Sequence, residues 1–205
     1  VSSLTANPAL ITDATVGSGT FTVTVVYSEA MTSSVAPTLV FDPLVASTLT
    51  FGSGAWSAGN TTYTATYDVA DANVAVLDVD ITVSGGTDAA GNVQVSATEE
   101  DAFSIDTLNP TVSSLTANPA LITDATLGSG TFTVTVVYSE AMSSSVAPTL
   151  VFDPLVASTL TFASGAWSAG DTTYTATYDV ADANVAFADV DITVSGGTDA
   201  AGNVQ

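Results

Sequence analysis

The chain repeats itself after 111 residues, and this duplication most constrains what it can fold into. Residues 1–94 align with residues 112–205 without a gap and differ at only six positions. The differing pairs are Val16/Leu127, Thr32/Ser143, Gly52/Ala163, Asn60/Asp171, Val76/Phe187 and Leu77/Ala188. The period exceeds the roughly 20–50 residues of solenoid repeats and matches the size of an independent domain. The sequence therefore predicts two copies of one domain, at 1–106 and 112–205, joined by a linker at 107–111.

Within each copy, apolar residues alternate with threonine or aspartate at a period of two. The alternation is clearest at 20–27, 61–67 and 78–84, and it is typical of strands with one buried and one solvated face. Turn signals of glycine, proline and asparagine separate these runs. Strands are predicted near 1–6, 20–27, 37–42, 47–51, 61–67, 78–84 and 102–106. Seven short strands in one copy predict an all-β fold of two tandem immunoglobulin-like, Greek-key β-sandwich domains.

The composition excludes many kinds of chemistry. There is no lysine, arginine, histidine or cysteine against 21 acidic residues, so the formal net charge is −21. Nucleophilic catalysis based on histidine, cysteine or lysine cannot be built, and zinc, haem and iron–sulfur centres lose their usual ligands. We therefore expect no enzyme activity. Nucleic acid is excluded as a partner because its binding rests on lysine and arginine.

The same composition favours a folded chain that binds a hard cation. Hydrophobic residues make up 46% of the sequence and the mean hydropathy is +0.45, which is too apolar for a disordered chain. No apolar stretch approaches the roughly 18 residues of a membrane span, so direct membrane insertion is not expected. The remaining donors are carboxylates, amides, hydroxyls and backbone carbonyls, a set that suits calcium.

Three motifs carry a family resemblance. They are a linker, Asp106-Thr107-Leu108-Asn109-Pro110; Tyr-Ser-Glu-Ala-Met at 27–31 and 138–142; and Gly-Gly-Thr-Asp-Ala-Ala-Gly-Asn at 85–92 and 196–203. In this order they resemble the bacterial Ig-like domains that are strung in tandem in large secreted surface adhesins. The resemblance covers essentially the whole chain. It implies extracellular, cell-surface spacer modules that serve cell adhesion and are often rigidified by calcium at domain junctions.

Topology independently predicts where a cation would bind. In a seven-strand sandwich, the loops after strands two and six lie at the end where strand one begins. In the second copy those loops hold Glu140, Asp199 and Asn203, and the linker that enters there carries Asp106. Because calcium takes six to eight oxygen ligands, we expect a structural Ca²⁺ site at the domain junction.

Further candidate ligands come from the first copy. Its loops at the opposite end contribute Asp13, Asp42, Asp68 and Asp71. The residues that correspond to the second-copy site are Glu29, Asp88 and Asn92, which no linker precedes in this sequence, so that site is expected to be incomplete.

Several candidates also have a simpler interpretation. Asp88 and Asn92 are turn formers that can satisfy their own backbone, and Glu29 can be a solvated charge at a strand edge. The spacing Asp68-x-x-Asp71-x-Asn73 differs from that of an EF-hand loop, so an Asx-rich loop is favoured there.

Other polar and aromatic residues point more weakly to function. Asp78 and Asp80 are predicted on one solvated strand face, and 99–101 reads as a solubilising charge run. Trp56 and Trp167 are predicted in turns, where they cap the core or stack on sugars. Asn60 begins a glycosylation sequon that the second copy lacks.

The second copy has no counterpart of the predicted strand at 102–106. Two interpretations stay open: the sequence is an excerpt of a longer array, or a neighbouring chain donates the strand. The sequence favours a structural spacer whose partners are neighbouring repeats or identical chains. The alternatives are a subunit of a self-assembling extracellular filament or surface layer, and a carbohydrate-binding module.

Overall fold

The computed structural model describes residues 1–205 and divides them into two compact domains, Val1–Leu108 and Asn109–Gln205. Both are built from β-strands, so the predicted all-β fold is confirmed. The helical segments are three 3-10 turns at Asp13–Thr15, Ala58–Asn60 and Asp124–Thr126. None of the helices has the length and apolar character needed to cross a lipid bilayer.

The first domain contains eight strands in two sheets. They are β1 (Ser3–Asn7), β2 (Leu10–Thr12), β3 (Gly17–Val26), β4 (Thr38–Asp42), β5 (Leu49–Ser57), β6 (Thr62–Val69), β7 (Ala75–Ser84) and β8 (Ala97–Asp106). One sheet has the order β1-β3-β6-β5 and the other β2-β8-β7-β4. All neighbours are antiparallel except β2 and β8. With β1 and β2 taken as one divided strand, this is the strand order of a constant-type immunoglobulin sandwich.

The alternating residues of these strands form the core between the two sheets. Phe21, on β3, has no exposed surface, and its ring centroid lies 4.7 Å from that of Phe103 on β8. Phe41 on β4 meets Tyr67 on β6 at 5.4 Å in an edge-on contact. Because each pair joins one sheet to the other, the sheets pack face to face, and the intervening threonines point outward.

Two strand predictions needed correction. Strand β2 was missed, since three residues are too short to show a period, and it exists because Ile11 pairs in parallel with Ile105 of β8. Strand β8 begins at Ala97, so the acidic run 99–101 lies exposed on a strand.

The prediction that the tryptophans lie in turns was wrong. A register shift between Phe51 and Ser53 lets β5 continue to Ser57, so Trp56 lies within the strand and pairs with Tyr63. Its ring packs against Tyr63 at 5.2 Å and Tyr27 at 5.5 Å. The indole is therefore partly buried against the core, which favours the capping interpretation over a sugar-binding platform.

The second domain repeats most of this plan with six strands. They are β9 (Val112–Asn118), β10 (Gly128–Tyr138), β11 (Thr149–Asp153), β12 (Leu160–Ser168), β13 (Thr173–Val180) and β14 (Asp191–Ser195). The first sheet is complete, with the order β9-β10-β13-β12, and the second contains only β11 and β14. The register is conserved, since Phe132 pairs with Tyr178 as Phe21 pairs with Tyr67.

The reduced second sheet follows from the absence of a strand equivalent to β8. Residues 121–123 repeat the sequence of β2 but form no strand, and β14 begins five residues later than the aligned β7 would require. The core opens accordingly: Leu4 is 6% exposed and its counterpart Leu115 is 36% exposed. In the first domain, β8 therefore orders both of the strands that it pairs with, β2 and β7.

Candidate cation-binding site

The loop Thr-Asp-Ala-Ala-Gly-Asn folds around its own aspartate. In the second domain, Asp199 Oδ1 accepts hydrogen bonds from the backbone N–H groups of Gly202 at 2.7 Å and Asn203 at 2.9 Å. Asp199 Oδ2 accepts a third from Asn203 Nδ2 at 2.8 Å. Gly202 has a φ of +94°, which favours glycine at this turn. The same turn forms around Asp88 in the first copy, where its Oδ1 accepts the N–H groups of Ala90 and Asn92, as the turn interpretation of that motif predicts. These bonds hold the carboxylate in one orientation.

A second loop places Glu140 beside Asp199. Met142 and Asp199 form an isolated β-bridge, and the N–H of Ser143 donates to the carbonyl of Thr198 at 2.7 Å. A carboxylate oxygen of Glu140 lies within 4.8 Å of one of Asp199. Asp199 is 2% exposed, so two like charges are held together at the edge of the protein interior. Such a pair favours the binding of a cation, which removes their mutual repulsion.

The first domain contains the same two loops. Met31 and Asp88 form the equivalent bridge, and the Thr32 hydroxyl donates to the Asp88 carbonyl at 2.7 Å. Asp88 holds Asn92 through a 2.6 Å bond from Nδ2 to Oδ2. Glu29, the counterpart of Glu140, is exposed.

The linker enters the second domain at this site. The N–H of Ser139 donates to the carbonyl of Thr111 at 2.9 Å, and the N–H of Thr111 donates to Ser139 Oγ at 3.0 Å. Thr111 is therefore fixed to the residue that immediately precedes Glu140. Sequence reasoning missed Ser139, although it recurs within the Tyr-Ser-Glu-Ala-Met motif.

Three further candidates lie at one end of the first domain. Asp106 ends β8, where it pairs with Thr12 of β2 and Ala75 of β7. Asp13 follows Thr12 directly and begins a 3-10 turn. Asp71 lies in the loop before β7, and its Oδ1 accepts the N–H of Asn73 at 2.9 Å. That bond makes an Asx turn, as the simpler interpretation of this loop predicts.

Two other candidates are used elsewhere. Asp68 Oδ1 accepts Ser18 Oγ at 2.7 Å and the Gly19 N–H at 2.8 Å, which ties the irregular start of β3 to β6. These two hydrogen bonds lower the pKa of Asp68 below its usual value, and the bond from Ser18 has the larger effect. Asp42 ends β4 and pairs with Asp80 in the middle of β7. Asp106, by contrast, pairs with Ala75 at the start of β7.

The remaining acidic residues in the second sheet of the first domain belong to no group of three that could hold a metal ion. Asp78 and Asp80 flank the buried Val79 on β7, as predicted for one solvated strand face, although a bulge gives Asp78 a φ of +55°. Asp80 Oδ1 accepts the N–H of Asp101 at 2.9 Å. The Asp80 carboxylate therefore serves the backbone of β8.

Gln94, which follows the loop at 87–92, was also not identified from the sequence. Its Oε1 accepts the Tyr27 hydroxyl at 3.0 Å and its Nε2 donates to the Val83 carbonyl at 3.0 Å. Gln205 makes the latter bond to Val194 at 3.1 Å. The repetition of Gly-Asn-Val-Gln in both copies was the available signal.

The stability of the first domain should depend on the ionisation of Asp88. The side chain of Asn92, then its N–H group, lowers the pKa of Asp88 below its usual value of about 3.9. The resulting stabilisation is complete above the unfolded-state pKa and is lost as pH falls through the lower folded-state pKa. We expect Asp88→Asn to lower the first-domain melting temperature at pH 7, with the deficit shrinking below about pH 4. Calorimetry at pH 7, 5, 4 and 3 checks this, and a deficit that is independent of pH would count against it.

Comparison with known proteins does not identify a family for this chain. No protein-family model matches it, and no curated protein matches it.

Proposed function

We propose that the chain is an extender repeat of a long extracellular bacterial surface adhesin, rigidified by calcium where its two domains join. The observation that carries the proposal is the pairing of Glu140 with Asp199 beside the incoming linker, in a chain without a single cationic side chain. The oxygen-only donor set fits a hard cation, and Ca²⁺ tolerates the irregular geometry of two loops and a linker.

Covalent connection supports Asp106 as a third ligand. Asp106 precedes Thr111 by five positions, and Thr111 is hydrogen-bonded to Ser139. Five Cα–Cα steps span at most roughly 17 Å when fully extended, so the length of the linker is compatible with Asp106 as a ligand of the same cation. A cation bound by all three carboxylates would fix the linker at both ends.

The coordination capacity of the loop is compatible with this role. Hydrogen bonds occupy both acceptor sites of Asp199 Oδ1 and one of Asp199 Oδ2. Oδ2 therefore keeps one acceptor site for a metal, and Asp199 would ligate through a single oxygen. Asn203 uses its Nδ2 on Asp199, so its amide oxygen is the atom that would ligate. Water and backbone carbonyls would complete the six to eight ligands that calcium requires.

The rest of the chain is consistent with a spacer. Two domains with nearly identical aligned sequences provide length, and the chain contains no histidine, cysteine or lysine for nucleophilic catalysis. A net charge of −21 repels itself, which favours extension and a medium that supplies cations, as outside the cell. The same motifs carry the resemblance to tandem adhesin domains.

Small-angle X-ray scattering of the 205-residue chain tests the mechanical part of the proposal. With millimolar calcium we expect a longer and narrower distribution of interatomic distances, and with a chelator a broader one. Asp106→Asn should remove the calcium response, whereas Asp71→Asn, whose carboxylate serves an Asx turn, should keep it. Identical scattering with calcium and chelator would refute rigidification.

A further inference from the structure

The second domain has an open apolar groove where the first domain is filled. We name it the acceptor groove; it has a volume of about 630 Å³ and lies between residues 119–122 and 187–192. Its lining includes Leu121, Ile122, Phe132, Phe187, Val190 and Ile192. Leu121 is 72% exposed and Phe187 is 44% exposed, so the groove presents large apolar side chains to solvent.

The first domain shows what fits into such a groove. There β8 lies between β2 and β7, paired in parallel with the first and antiparallel with the second. Phe103 and Ile105 point from β8 into the core, with 2% and 0% of their surfaces exposed. Ile11 and Val79, the counterparts of Ile122 and Val190, are fully buried by this strand.

The backbone of the second domain is also prepared for a strand. β14 pairs on one side with β11 only, so the N–H and C=O groups on its other edge have no strand partner. In the first domain, the aligned edge of β7 pairs Thr82 with Thr98 and Val83 with Ala97. Thr193 and Val194 occupy these positions in β14, and their neighbours have the same sequence.

We propose that the acceptor groove binds an extended segment with the sequence pattern of Ala97–Asp106, antiparallel to β14 and parallel to residues 121–123. The bound segment buries a phenylalanine and an isoleucine two residues apart, and its acidic residues face solvent as 99–101 do in β8. Main-chain hydrogen bonds provide affinity, and the two apolar side chains provide register, as in other cases of strand addition. The site uses no calcium and does not rest on the proposed function.

One substitution in the groove gives a matched variant. Val76, which pairs with Ile105 in the first domain, is replaced by Phe187 in the second. The larger ring occupies space beside the position that an isoleucine of the donor would take. Phe187→Val restores the first-domain pair, so it should bind the segment at least as tightly as the unchanged chain.

Binding of a synthetic peptide to the full 205-residue chain tests the proposal, in buffer that contains a chelator. The peptide has the sequence of residues 96–107 with an N-terminal fluorophore, and binding is followed by fluorescence anisotropy. We expect saturable binding, and binding at least about tenfold weaker for a peptide that carries Phe103→Asp and Ile105→Asp, since an unpaired charge is costly to bury. Hydrogen exchange should show new protection at 121–123 and 187–195.

Several results would overturn the assignment. They are no binding at about 1 mM peptide, equal binding of the charged control peptide, weaker binding by Phe187→Val, and protection confined to the first domain. Self-association of the chain through the β14 edge that blocks the peptide would also overturn it, because the groove would then take a second copy instead.

Discussion

The two domains should unfold in separate thermal transitions, with the second domain melting first, although their aligned sequences differ at only six positions. The first domain buries Phe103 and Ile105 of β8, and nothing in the second domain replaces them. Full burial of one such side chain is worth about 1.5–3 kcal/mol, and the strand also orders its neighbours. Since 1 kcal/mol moves the midpoint of a domain this small by about 4–8 °C, the transitions should be separated by roughly 10 °C or more.

Each domain has its own tryptophan, which makes the assignment direct. Trp56 lies in the first domain and Trp167 in the second. Fluorescence melting of Trp56→Phe reports on the second domain, and Trp167→Phe, the same substitution in the other copy, reports on the first. Calorimetry of the unchanged chain gives the reference. A single transition, or earlier melting of the first domain, would contradict the role assigned to β8.

Phe103→Ala should remove most of the extra stability that the first domain has over the second. Phe103 is 2% exposed, and its ring centroid lies 4.7 Å from that of Phe21 in a tilted contact and 5.8 Å from that of Phe41 in an edge-on contact. Truncation therefore leaves a cavity between the sheets. Truncation of a buried phenylalanine costs about 3–5 kcal/mol. The first-domain transition should fall toward that of the second domain, whose own midpoint stays unchanged. Chemical denaturation monitored by Trp56 measures the loss.

A natural substitution supplies the control. Leu77 is 70% exposed, and the second copy has Ala188 at the aligned position. Leu77→Ala should therefore change the free energy of unfolding by no more than about 0.5 kcal/mol. A loss of similar size in Phe103→Ala and Leu77→Ala would show that β8 does not anchor the core.

The sequence predicted the parts of the fold that depend on local pattern. Alternation over 20–27 and 61–67 is found in β3 and β6, since a period of two with one buried face is the signature of such strands. It could not predict β2, which is stable only because β8 lies beside it. Nor did it place Trp56 in a strand, because the glycines around it suggest a turn until the bulge after Phe51 is seen.

The sequence likewise predicted some parts of the candidate site and not others. Topology predicted that the loops of Glu140 and Asp199 approach each other, because both connect strands at the same end of the domain. The hydrogen bonds that orient Asp199 follow from the short motif around it. The attachment of Thr111 to Ser139 was not predicted, because the recurrence of a serine does not indicate which backbone N–H its hydroxyl accepts.

Calcium titration by calorimetry tests the central claim most directly, with the unchanged chain, Glu140→Gln and Glu29→Gln compared. The two variants make the same substitution in identical Tyr-Ser-Glu-Ala-Met contexts, so general charge effects cancel. We predict one dominant site in the unchanged chain, at least tenfold weaker binding in Glu140→Gln (about 1.4 kcal/mol), and little change in Glu29→Gln. Absence of binding at millimolar calcium, or equal weakening in both variants, would contradict a calcium site at Glu140 and Asp199.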